Sequence, residues 1–92
     1  MLSLPELREM KALTERVVKG SVTREDWSNL AALTLIWQGD ETVANIAAQG
    51  FDAFVSVAAP VYIGHSFHRD DYQRMYDRIC RAAAKYHRDR VH

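Results

Sequence analysis

Apolar residues recur at helical spacing along most of the chain. Leu7, Met10, Leu13, Val17 and Val18 fall on one stripe of a helix expected over about Leu4 to Lys19. Ser3 with Glu6 three residues later forms a capping box at its start, and Pro5 is tolerated in the first turn, where a missing N–H costs nothing. Leu2 and Leu7 hold the two positions of a hydrophobic staple, and Gly20 is the expected left-handed stop. The same signals return at Thr23 and Asp26, with Val22 and Trp27 as the staple. That second helix ends at Gly39. From Leu30 onward its apolar residues point nearly all round the axis, as in a helix covered on several sides.

Asp40 is the expected cap of a third stretch, in which Val43, Ile46, Ala47, Phe54, Val57 and Val61 keep helical spacing. Gly50 either divides this stretch, with a new start at Asp52, or lies inside one longer helix. Pro60 sets its end near Ala59, because proline disfavours helical geometry in the residue before it. A strand over Phe54-Val55-Ser56-Val57 is the alternative that β-branching admits, although no partner strand with turn signals accompanies it. Val61 to Phe67 reads as a connector hinged at Gly64. The last helix begins near Arg69, with Asp70 and Asp71 in its first turn and Lys85, Arg88 and Arg90 near its end, an order that suits the helix dipole. Its apolar stripe is Tyr72, Met75, Tyr76, Ile79, Ala83 and Tyr86. The expected fold is all-α, a compact bundle of four to five helices forming a single domain over residues 1–92.

Composition narrows the function classes. With 48% apolar and 26% charged residues in 92, the chain can bury one core and is not a disordered segment. Its one cysteine, Cys80, excludes an internal disulfide and with it a stapled secreted mini-protein. Charges at Glu6, Arg8 and Glu9 fall where a signal peptide needs an apolar core, and no uncharged run reaches the roughly 18 apolar residues of a membrane span. A cytoplasmic location without membrane contact is expected.

Twelve basic and twelve acidic residues cancel, which argues against a generally basic nucleic-acid coat. The distribution is uneven, however. Residues 27–64 contain the acids Asp40, Glu41 and Asp52 and no lysine or arginine, whereas residues 65–92 carry an excess of bases. A nearly uncharged middle flanked by two charged amphipathic helices has more apolar surface than two neighbours can cover, so either it forms a tight helical hairpin inside the bundle or it also packs against another molecule. Of the two, self-association as a homodimer or higher oligomer is expected.

Two groups of residues stand out as partner-binding candidates. Arg74, Arg78, Arg81, Lys85 and Arg88, spaced by four, three, four and three, make a basic ridge opposite the apolar stripe of the last helix. Such a ridge suits a phosphate backbone or an acidic protein groove. It equally suits a solvated face partly neutralised by Asp70 with Arg74 and Asp77 with Arg81. Trp37, Phe51, Tyr62 and Phe67 fall at or beyond helix ends, where aromatics act either as a lid on the core or as interface anchors.

His65-x-x-His68 is half of a zinc site that no second pair completes, and Cys80, His87 and His92 do not extend it, so no metal or other cofactor is expected. Phosphate loops, nucleophile elbows and HExxH are all missing, which leaves no basis for catalysis. A helix-turn-helix around Gly39 fails because its second helix, Glu41 to Gln49, carries no arginine or lysine to read bases. The expectation is a small non-enzymatic regulatory or inhibitory protein, of the kind phage and plasmid accessory genes encode, that binds a protein partner. The alternative is a nucleic-acid-binding protein that uses the basic face of the last helix.

Overall fold

The two N-terminal helices begin at their capping boxes. In the computed structural model, which describes residues 2–62 and 67–90 (backbone only for 89 and 90), α1 spans Leu4–Lys19 and α2 spans Arg24–Gln38. Glu6 N donates to Ser3 Oγ and Ser3 N returns a bond to Glu6 Oε1 at 3.1 Å. At α2, Asp26 N donates to Thr23 Oγ1 and Thr23 N to Asp26 Oδ2, both at 3.1 Å. The Asp26 carboxylate also takes Arg16 Nη1 at 2.9 Å, which ties the last turn of α1 to the first turn of α2. Between them Gly20 adopts φ 74°, the left-handed stop that a side chain would resist.

Helix α3 spans Asp40–Gln49, α4 spans Phe51–Val61 and α5 spans Arg69–Arg90, so the described residues form five helices and no strand. The strand alternative at Phe54 to Val57 is thereby excluded. Three boundary expectations are also corrected. Asp40 does not cap α3: the chain passes from α2 to α3 through Gly39 alone, so Gly39 occupies the cap position and Asp40 becomes the first helical residue. Gly50 divides the middle stretch at φ 91° and ψ 167°, and α4 starts at Phe51 rather than Asp52. Helix α4 does not stop before Pro60. It continues through Pro60 to Val61, and Tyr62 N closes the last turn on Ala58 O at 3.1 Å. Proline is tolerated there because the carbonyl it cannot serve belongs to Ser56, an exposed residue that water can reach. The connector hinge at Gly64 lies outside the described residues.

Helix α5 organises the core. It packs most extensively on α3 and α2 and more lightly on α4, while α1 lies on α2. Met75, Ile79 and Ala83 of its stripe are buried in one cluster with Leu33, Ile36, Val43 and Phe54, and Tyr72 and Tyr76 pack against that cluster. Each large side chain buried there contributes about 1.5–3 kcal/mol. Tyr76 also donates its hydroxyl to Ala47 O at 2.9 Å. That carbonyl is among the last four of α3, which have no helical partner of their own.

The start of α5 is secured by an acid. His68 precedes the helix, and its backbone N donates to Asp71 Oδ2 at 2.8 Å while its carbonyl accepts from the Asp71 and Tyr72 amides. Asp71 is 1% exposed and is flanked by Arg74 Nη1 at 3.0 Å and Arg24 Nε at 3.6 Å. The first turns of α2 and α5 therefore share one buried carboxylate.

Overall extents of 43 × 30 × 17 Å make the molecule thin in one direction, about two helix layers deep. Ile36 and Phe54 are buried within one subunit, so α5 covers most of the uncharged middle. Two layers leave an outer face on every helix, and α4 consequently shows Val57 and Val61 at 61% and 71% exposure.

Candidate partner-binding groove

A concavity of about 730 Å³ lies where α1 and α5 fail to meet. These two helices do not pack backbone against backbone; each rests on α2 or its neighbours instead. Glu9 of α1 and Arg78 of α5 bridge the gap through both guanidinium Nη atoms. Leu2, Ile36, Ala82 and Tyr86 give the groove an apolar lining, and Arg78, Arg81 and Lys85 stand along its α5 side. Ser3, Glu6 and Asp40 complete it from α1 and the start of α3. Glu6 is already engaged, accepting from the amide and hydroxyl of Ser3.

The structure divides the basic ridge. Arg74 is drawn to the buried Asp71 rather than to Asp70. Arg78 is held by Glu9. The expected Asp77–Arg81 pair does not form; Asp77 accepts from Gln73 Nε2 at 2.8 Å instead. Among the described residues neither Arg81 nor Lys85 has an ion-pair partner, and both are exposed on the groove. Arg88 is exposed beyond the groove lining.

The four helix-end aromatics separate in a similar way. Tyr62 and Phe67 meet edge to face at 5.6 Å, Phe67 meets Tyr72 at 5.8 Å, and Phe51 meets Tyr76 at 5.7 Å. The Arg69 guanidinium covers the Phe51 ring at 4.8 Å. These three aromatics form a lid between α4 and α5, and burial pushes the Tyr62 phenol above its ordinary value. Trp37 stays outside that lid, 63% exposed at the end of α2.

A second, smaller cleft of about 130 Å³ opens between α2, α3 and α4. Leu35, Ile46, Phe54, Val57 and Val61 line it, and no charged side chain does. Helical spacing placed these residues in stripes, but it gave no sign that their outer edges form a cleft.

His65 and His92 of the half zinc site lie outside the described residues. His68 serves as the residue before α5, His87 lies against the Tyr86 ring at 5.6 Å, and Cys80 is half-buried. Among the described residues, no group of three histidine, cysteine or acidic side chains is placed to hold a metal. No helix among them is long and apolar enough to cross a membrane. Comparison with known protein families, with curated proteins and with solved structures finds no match to this chain.

Proposed function

We propose that the chain is a non-enzymatic binding module that regulates or inhibits a protein partner by docking through the groove between α1 and α5. One observation carries this reading: a concavity in which Ala82 and Tyr86 lie over the buried Leu2 and Ile36, bordered by two cations, Arg81 and Lys85, that have no ion-pair partner among the described residues. Apolar surface supplies affinity on association, and unpaired charges at its edge supply orientation and encounter rate. Phosphate-backbone binding is less well supported, because Arg74 and Arg78 are neutralised by Asp71 and Glu9 and because Glu6 and Asp40 stand on the groove.

Site-directed photocrosslinking in the cells that carry the protein tests this. A crosslinking residue at Ala82 in the groove should capture a protein, and one at the exposed Gln73 should not. Arg81→Glu with Lys85→Glu should abolish the Ala82 adduct. Adducts with nucleic acid, or equal capture from Gln73, would overturn the reading.

The uncharged cleft beside α4 favours a second reading, self-association through Val57 and Val61, because an identical neutral face brings no charge to desolvate. Sedimentation should then show a concentration-dependent mass that Val57→Glu with Val61→Glu reduces to one subunit. A monomer at all concentrations excludes it.

A further inference from the structure

We infer that the occupant of the α1–α5 groove is an acidic amphipathic α-helix, whose apolar residues meet Ala82 and Tyr86 above the buried Leu2 and Ile36 and whose carboxylates meet Arg81 and Lys85. This inference rests on the reading of the groove as a protein-docking site and adds the chemistry of the partner.

Three features of the groove select that occupant. The first is its register. Arg78 and Lys85, with Arg81 between them, stand seven positions apart on α5, about 10 Å or two helical turns, and Arg81 and Lys85 are separated by about 6 Å of rise. Two carboxylates four residues apart on a partner helix have the same separation. The Arg81 guanidinium can take one of them in a two-pronged pair, and the Lys85 ammonium can take the other as a point charge.

The second feature is the backbone. The described residues contain helices and no strand, so the groove offers no sheet edge. An extended segment laid there would find no edge to pair with and would lose hydrogen bonds to water. A helical segment brings its backbone already satisfied, and its apolar stripe at i, i+3 or i+4, and i+7 matches a two-turn trough.

The third is the arrangement of charge. Cations stand on the α5 side of the groove, while Glu6 and Asp40 come from α1 and α3. A polyanion carries charge uniformly and meets those acids along with the bases. A helix with one acidic edge can turn that edge toward α5 alone.

Selection from a displayed library of random peptides against the 92-residue chain tests the inference without knowledge of the natural partner. Enriched peptides should carry aspartate or glutamate four residues apart beside large apolar residues at helical spacing. A synthetic copy should gain helical dichroism on mixing. Its affinity should fall at least tenfold against Arg81→Glu with Lys85→Glu, and also against Ala82→Glu, which places a charge on the floor. Both sets change half-buried or exposed positions, and an unchanged far-ultraviolet spectrum confirms that each variant folds. Peptides without acids, peptides that bind without becoming helical, affinity that survives charge reversal, or no enrichment at all would each overturn the inference. The photocrosslinking result at Ala82 would still stand in those cases, so the two failures are distinguishable.

Discussion

Asp71→Asn is the most informative single perturbation of the fold, because it changes charge without changing volume. The Asp71 side chain is almost wholly buried, yet it serves a backbone amide at 2.8 Å, a guanidinium at 3.0 Å and a second guanidinium at 3.6 Å. An asparagine there has one acceptor oxygen where two are needed. If that oxygen keeps the His68 amide, the new NH2 faces Arg74; if it turns to Arg74, the NH2 faces the amide. One donor is set against another in either case. A hydrogen bond involving a charged group contributes about 1.5–3 kcal/mol, and breaking a fully buried ion pair costs about 3–5. Arg24 and Arg74 are about half exposed, so water recovers part of what they lose, and the lower range applies.

The expected cost is about 2 kcal/mol out of a total of roughly 5–14 for a domain of this size. At about 4–8 °C per kcal/mol, the midpoint of thermal unfolding should fall by about 10 °C. Far-ultraviolet dichroism followed against temperature and against urea measures it, with an unchanged urea slope showing that the native surface is intact. A fall of less than about 2 °C would refute the reasoning, because the carboxylate would then be stabilising neither α5 nor its contact with α2. Arg24→Ala combined with Asp71→Asn should cost less than the sum of the two single changes.

Tyr76→Phe removes the donor to Ala47 O and should cost about 1 kcal/mol, read by urea unfolding, with faster amide exchange concentrated at the end of α3. Gly50 lies at φ 91° and ψ 167°, a region essentially reserved for glycine, so Gly50→Ala and Gly50→Asn should each cost about 1–3 kcal/mol. By contrast Gly20, at φ 74° and ψ 15°, should accept asparagine more readily than alanine, and equal losses from both at Gly20 would contradict that distinction. The Thr23 backbone amide, followed by the Thr23 hydroxyl and Arg16, holds the Asp26 carboxyl below its ordinary value of 3.8. Its contribution to stability is therefore present above that pH and is lost as the pH falls through the folded value. A carbon-detected titration should place the Asp26 midpoint below 3.8, and the stability gap to Asp26→Asn should close on acidification.

Fold class and most helix boundaries were legible because they are set locally. Ser3 with Glu6 and Thr23 with Asp26 act within one turn, and Gly20 acts through its own φ, so neighbouring residues suffice to place α1 and α2. Gly39, Gly50 and Pro60 were harder, since each has two uses that local pattern does not separate. Gly39 serves as the end of one helix and the cap of the next. Pro60 breaks a helix interior yet fits a last turn, and the exposure of Ser56 determines which applies. The burial of Asp71 was equally hidden. A carboxylate in a first turn reads as solvated, and only the approach of Arg24 from 47 residues away encloses it.

The groove was less legible for the same physical reason. Helical spacing set five cations on one face of α5, but it could not tell that Glu9, 69 residues distant, would claim Arg78 and leave Arg81 and Lys85. Nor could it place Leu2 and Ile36 beside them, because those residues reach the groove through the packing of α1 on α2 and of α2 on α5. That packing also accounts for the groove. Leu13 is buried midway along α1, Met10 packs on the same core and Leu2 is buried ahead of the helix, so α1 rests on α2 and does not pack directly against α5. Among the described residues, the Glu9–Arg78 ion pair spans the gap between them. The charged pair bridges the two helices, and the opening beside it is the surface that the proposed partner helix would fill.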